Sequence, residues 1–242
     1  MTNAIETQAK TELRKRPALR PRDAASLILI DRTGPSPKVL MGRRHKRHIF
    51  MPGKFVFPGG RVEPEDARMP VTAGLAPEHE IRLLKQMRRP IAARARAFAL
   101  AAIRETCEET GLVLGRKRAD PPKVPSESWR VFADLSVTPD LSPLHFVARA
   151  ITPPGNTRRF DARFFMADAE LIAHRIEGVV GVDSELDELV WIPIAEARDL
   201  NLSGITQRML DEAARRLSSG LDPALPVPFY RVLRRQRTRQ DL

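Results

Sequence analysis

The sequence predicts the α/β class, with a mixed β-sheet sandwiched between helices. Three observations carry this. Short apolar runs bounded by turn residues recur in both halves of the chain. Two longer stretches show helical spacing. No internal repeat or composition break divides the 242 residues, which are enough for one large domain with a real core.

Residues 24–31 read as the first strand, with Leu27, Ile28, Leu29 and Ile30 as its apolar run. Thr33-Gly34-Pro35-Ser36-Pro37 turns the chain, and 38–42 return as the partner of a hairpin. Phe55-Val56-Phe57 is a short strand that ends in Pro58-Gly59-Gly60. Pro77 followed by Glu78 and Glu80 starts a helix whose face is marked by Ile81, Leu84 and Met87. Pro90 opens a second helix that runs to about Thr110, where Gly111 is placed as its cap. Residues 115–128, charged and rich in proline, read as a surface loop. Residues 144–151 and 159–167 read as strands joined by Thr152-Pro153-Pro154-Gly155-Asn156, and 189–194 as a further strand after an acidic run. Ser203 caps a closing helix that turns Ile205, Met209, Leu210, Ala213 and Leu217 inward. The expected organisation is a basic, flexible tail over 1–23, one domain over 24–219, and a second basic tail over 220–242.

An apolar content of 42% with 29% charged residues excludes a wholly disordered chain. The longest apolar run, 97–103, is too short to span a bilayer, and the first 23 residues show no secretory h-region. A single cysteine, Cys107, excludes an internal disulfide, and a cytoplasmic setting is expected. The net charge of +11 raises a polyanionic partner. That excess lies in the two tails and in residues 42–54, where Arg43, Arg44, Lys46, Arg47 and Lys54 meet no acid. The rest of the chain is close to neutral. This distribution disfavours nucleic acid, gives no reason to invoke a membrane, and directs the internal cluster to the phosphates of a small substrate.

The chemistry concentrates in Arg104-Glu105-Thr106-Cys107-Glu108-Glu109-Thr110-Gly111-Leu112. On a helix, Glu105, Glu108 and Glu109 share one face. They also sit in its last two turns, where the helix dipole disfavours carboxylates by roughly 0.3–1 kcal/mol each. A bound Mg²⁺ or Mn²⁺, a hard cation that takes oxygen ligands, resolves that conflict. Cys107 points away from them and reads as core packing. Upstream, Pro58-Gly59-Gly60 permits close backbone approach, so its N–H and C=O groups can face a metal or a phosphate.

Together these segments resemble the Nudix hydrolase superfamily, whose signature reads Gly-x5-Glu-x7-Arg-Glu-U-x-Glu-Glu-x-Gly-U, U being bulky and aliphatic. Gly60 matches the first glycine, and Arg104, Glu105, Glu108, Glu109, Gly111 and Leu112 match the second half. Asp66 stands where the first Glu is expected, Thr106 stands at an aliphatic position, and 37 residues rather than 7 separate Asp66 from Arg104. The resemblance implies a Nudix-type α/β/α sandwich with a helical insertion, roughly 67–96, inside the signature. It implies metal-dependent attack of water on the phosphoanhydride of a nucleoside diphosphate linked to X. Glu105, Glu108 and Glu109 match metal-binding and catalytic positions, Arg104 an orienting arginine, and the Gly59 or Gly60 carbonyl a further ligand. The general base stays open between Glu105 and a loop acid such as Glu170, Glu185 or Glu188.

The split signature is similar to that of the acyl-coenzyme A diphosphatase subfamily, as is Arg158-Arg159-Phe160-Asp161 followed by Phe164-Phe165. Coenzyme A hydrolases carry an upstream arginine element. Here Gly53 and 57–60 fit it, while Arg43, Arg44 and Arg47 are near but out of register. The resemblance implies coenzyme A or acyl-CoA as substrate, against ADP-ribose, a dinucleotide or a nucleotide sugar, and against a non-catalytic regulator or RNA-binding module. Arg43, Arg44, Arg47, Gly59, Arg158 and Arg159 are the expected substrate contacts. The insertion is equally readable as a lid, a substrate wall or a homodimer contact.

Overall fold

The computed structural model describes residues 19–47 and 51–242. The N-terminal tail up to residue 18 and residues 48–50 of the basic segment lie outside the described residues. A nine-stranded mixed sheet forms the centre, with the path β11(Leu186–Pro193), β2(Lys38–Arg44), β1(Arg22–Asp31), β9(Phe160–Asp168), β8(His145–Ile151), β12(Pro228–Leu233) and β13(Gln236–Asp241). β3(Phe55–Val56) adds to β2, and β4(Gly59–Arg61) adds to β1. β1 runs parallel to β9 over nine residue pairs, from Arg22 opposite Phe160 to Ile30 opposite Asp168.

Strand alternation in β1 sends Leu27 and Leu29 to one core and Ile28 and Ile30 to the other, because successive side chains face opposite sides of a pleated sheet. On the first face lie α1(Pro77–Leu84) and α2(Ala92–Thr110), with α3(Arg130–Asp134) beside them. On the second lies α4(Gly204–Ser218), which buries Met209, Leu210 and Ala213 and is capped by Ser203 Oγ accepting from Thr206 N at 3.2 Å. The expected α/β/α sandwich is present. Two small accessory sheets pair β5(Leu112–Leu114) with β10(Ile172–Arg175) and β6(Arg116–Lys117) with β7(Val137–Thr138). Among the described residues, no helix is long and apolar enough to cross a membrane.

Three local expectations are corrected. Ile81 is exposed, and α1 instead buries His79 and Leu83. The helix ends at Leu84, so Met87 reaches the core from the following turn. Second, α2 begins at Ala92 with Ile91 as its flanking residue, just beyond Pro90. Third, residues 228–241 are not a solvated tail. They form the β12–β13 hairpin, which joins β8 through Phe229 and Tyr230, and they bury Val227, Phe229 and Leu242.

Within the insertion, helix α1 packs by β8. His79 Nε2 lies 3.2 Å from His145 Nδ1, and the rings meet edge to face. Arg82 donates to the carbonyls of Pro223 and Ala224. Burial, with His145, Arg216 and Arg82 adding repulsion, pulls the His79 pKa down to about 4. An unfolded histidine titrates near 6.5, so on acidification the unfolded chain takes up the proton first. The stabilisation from neutral His79 is therefore present above about pH 6.5 and is lost as the pH falls towards about 4, amounting to about 3 kcal/mol. The difference in stability between the wild type and His79→Gln, read by urea unfolding, should change by that amount between these limits, since the carboxyl groups elsewhere titrate alike in both. Parallel profiles for the two proteins would refute the assignment.

Candidate active site

The site forms where α2 ends against the Pro-Gly-Gly turn. Helix α2 runs unbroken because alanines and Phe98, Leu100 and Ile103 bury most of its circumference. It stops at Gly111, which adopts a left-handed φ of 73°, and there a side chain would collide with the Ile176 carbonyl. Its last two turns thereby bring Glu105, Glu108 and Glu109 to the turn that leads into β4.

Arg104 is the hub. Only 2% exposed, it donates from Nε to Asp66 Oδ1 at 2.8 Å and from Nη2 to Asp66 Oδ2 at 3.2 Å. Nη1 reaches Glu105 Oε1 at 3.0 Å and Glu108 Oε2 at 2.9 Å, and Nη2 also donates to the Arg61 carbonyl at 2.8 Å. One planar guanidinium thus fixes three carboxylates and the end of β4, a geometry that lysine cannot reproduce. Burial opposes its charge, but Asp66, Glu105 and Glu108 outweigh that and hold its pKa above the ordinary range.

Asp66 is completely buried and also accepts from the Glu63 N–H at 2.8 Å. The shorter acid at this position therefore reaches Arg104 from within its own 3₁₀ turn, 66–68. The sequence flagged this residue only as a departure from a motif. The structure makes it the main partner of Arg104.

Glu109 accepts from the Gly59 N–H at 3.0 Å, tying the helix end to the turn. Gly59 has φ 153°, and a side chain there would strike the Ala25 carbonyl. At Gly60 a Cβ would run into the Glu105 carboxylate, so glycine keeps open the space in front of that group. Burial pushes the Glu105 pKa up to about 7, with Glu108 and Glu185 reinforcing and Arg104 opposing. Burial also raises Glu108, and it raises Glu109 well above the usual carboxylate range, with Glu185 adding to the effect. Cys107 behaves as core, its thiol pushed up to about 12 by burial.

Among the described residues, no three His, Cys, Asp or Glu side chains stand in a metal-binding arrangement. The physical reason is local: Arg104 holds Glu105 and Glu108, and Glu109 faces the Gly59 N–H. The donor set nonetheless fits a hard divalent cation. Glu105, Glu108 and Glu109 project from the same two helical turns, burial raises the pKa of each, and the missing side chain at Gly60 lets the Glu105 carboxylate lie against the turn.

The basic segment differs from expectation. Arg43 is paired with Asp187 at 2.7 Å and Glu188 at 3.0 Å, and Arg44 with Glu185 at 2.9 Å, because β11 lies in antiparallel register against β2. Lys54 donates to Asn201 and to the Leu202 carbonyl. The acidic run of 183–188 thus neutralises much of the cluster, and Arg47 has no ion pair among the described residues. The same pairing separates the loop acids. Glu185 couples electrostatically to Glu105 and Glu109, Glu188 is held by Arg43, and Glu170 lies by Arg32, Thr33 and Asp168. Arg159 donates to the carbonyls of Thr152 and Leu19, and Arg158 is exposed beside it. Both lie at the Arg22 end of β1, whereas the Pro-Gly-Gly turn pairs with β1 at Ala24 to Ser26.

No family model matches the chain. A NUDIX hydrolase from Alicyclobacillus acidocaldarius aligns structurally with TM-score 0.60 and 28% identity, over 79% of this chain and 90% of that one. Human acyl-coenzyme A diphosphatase NUDT19 is 26% identical over 215 residues, covering 64% of this chain and 57% of that protein. A Caenorhabditis elegans relative that bears the name nudix hydrolase 7 is 28% identical over 194 residues, covering 76% of this chain and 55% of that protein. The chain therefore spans a little over half the length of these curated relatives.

Proposed function

We infer that this chain, built on the Nudix hydrolase fold and similar in sequence to Nudix hydrolases, is a metal-dependent hydrolase of a nucleoside diphosphate linked to X. The observation that carries this is the Arg104 hub, which holds Glu105 and Glu108 together, with the Glu105 carboxylate against Gly60. Glu105, Glu108, Glu109 and the Gly60 carbonyl would hold Mg²⁺ or Mn²⁺. That ion, when bound, offsets charge developing on the phosphate and lowers the pKa of its water.

The chain's own residues do the rest. Arg104 and Asp66 fix the carboxylate-bearing turn, which keeps the site preorganised. Glu105, held by Arg104 against Gly60, is placed to accept a proton from the attacking water. Glu185 is the second acid near enough to influence it. Arg47, which has no ion pair among the described residues, would be the cation of the basic segment left to meet a substrate phosphate.

Coenzyme A or acyl-CoA is the substrate class we favour, supported by the split signature and by the similarity to the human acyl-coenzyme A diphosphatase. Purified protein with Mg²⁺ should convert coenzyme A and water to 3′,5′-ADP and phosphopantetheine, detected by mass spectrometry, and a chelator should stop the reaction. Hydrolysis of ADP-ribose, dinucleotides or nucleotide sugars with coenzyme A left intact would move the substrate assignment while keeping the reaction class.

A further inference from the structure

One end of the sheet gathers arginines from four separate segments. β1 starts there with Arg20 and Arg22, opposite the β8–β9 loop that carries Arg158 and Arg159. β12 runs parallel to β8, pairing Phe229 with Arg149 and Tyr230 with Ala150, so residues 231–233 continue past the last of those pairs. At about 3.3 Å per residue the hairpin tip projects roughly 10 Å further. It carries Arg234, Arg235 and Arg237 to the same end. The turn after α1 joins them, because Arg149 donates to the Gln86 carbonyl at 3.2 Å, which leaves Arg88 and Arg89 exposed nearby.

The local acids are already occupied. Asp23 is held by Arg94 and Arg163, and Asp161 by Arg149 and Arg163. Arg20, Arg22, Arg88, Arg89, Arg158, Arg234, Arg235 and Arg237 have no ion pair among the described residues. The hairpin turn itself is unusual. Arg234 and Arg235 both have left-handed φ, 47° and 68°, in a two-residue turn where Asn-Gly is the ordinary choice. Backbone strain is tolerated here to hold two charged side chains at the tip.

The second observation is apolar. Among the described residues, five large hydrophobic side chains are exposed, and three of them, Leu19, Ile91 and Leu233, sit at this end. Ile91 precedes the first turn of α2, where Arg94 pairs with Asp23, and Leu233 flanks the hairpin tip. Exposed aliphatic groups interleaved with arginines match the two components of a bilayer surface, acyl chains and anionic headgroups. A nucleic acid would satisfy the arginines but leave the aliphatic groups without a partner.

We propose that this end of the sheet is a docking surface for an anionic phospholipid bilayer. Arg88, Arg89, Arg234, Arg235 and Arg237 contact headgroup phosphates, and Ile91 and Leu233 enter the acyl boundary. The proposal does not rest on the hydrolase assignment, because it concerns other residues and is read by binding alone.

The test is co-sedimentation of the full chain with phosphatidylcholine vesicles made with and without phosphatidylserine. The protein should bind the anionic vesicles and be released by salt. Arg88→Glu with Arg89→Glu and Arg237→Glu should lower binding on the order of 100-fold or more. Ile91→Ser with Leu233→Ser should lower it at least about tenfold at unchanged charge. Far-UV circular dichroism and thermal melting confirm that both variants fold, all five positions being solvent-facing. Absence of binding to anionic vesicles would overturn the proposal. So would an apolar variant that binds like the wild type, which is the outcome a purely electrostatic, nucleic-acid surface predicts.

Discussion

Glu108→Gln should abolish turnover while leaving the protein folded. The substitution removes one negative charge from the carboxylate face and keeps the shape of the side chain. If Glu108 helps to hold the catalytic cation, the several kcal/mol that such an ion contributes to the transition state are weakened together, and kcat falls about 10³-fold or more. The stability cost is small by comparison. Glu108 has a side chain 42% exposed, and its one ion pair among the described residues is an i,i+4 contact to Arg104 at 2.9 Å, a class worth under about 1 kcal/mol. A steady-state assay with saturating Mg²⁺ and a urea melt on the same sample separate the two effects. A variant that turns over at the wild-type rate would exclude Glu108 from the site. A variant that loses activity and stability together would make it a structural residue.

The parts of this site that were legible in the sequence are the local ones. Glu105, Glu108 and Glu109 are within five residues on one helix, so helical periodicity alone puts them on one face. Gly111 as a terminator follows from the same local rule and is observed with left-handed φ. The Gly59-Gly60 turn is equally local, and its approach to Glu105 follows once strand β4 joins β1. The partners of Arg43 and Arg44 were not legible, because they depend on the register of β11, whose residues lie more than 140 positions away in sequence. A cluster with no acid in its own segment looked free, yet two of its five cations, Arg43 and Arg44, are paired in space. The C-terminal hairpin was hidden for another reason. Its turn carries two arginines in place of the usual Asn-Gly, and its second strand alternates arginine with polar residues, which reads as a solvated tail until the buried Phe229 and Leu242 are seen to anchor it.

Arg104→Met should produce the largest loss of stability of any single change in the site. The substitution keeps much of the aliphatic stem but deletes the charge that compensates Asp66, Glu105 and Glu108. Asp66 is fully buried, and its remaining bond, from the Glu63 N–H, does not neutralise it. Breaking one side of a buried pair typically costs about 3–5 kcal/mol, because the other charge is stranded. The loss should show as a lower urea midpoint with the slope unchanged. The double variant Arg104→Met with Asp66→Asn removes the stranded charge and should recover a substantial part of that stability. The recovery is the diagnostic. Two side chains that merely fill space would lose stability additively, whereas coupling of more than about 0.5 kcal/mol in the cycle identifies a direct pair. Catalysis should not recover with stability, because Glu105 and Glu108 lose the guanidinium that aims them in both variants. Recovery of stability without activity would therefore assign Arg104 two separable roles, compensation of a buried acid and orientation of the carboxylate face, while recovery of both would mean that Arg104 serves the site only as the counter-charge of Asp66.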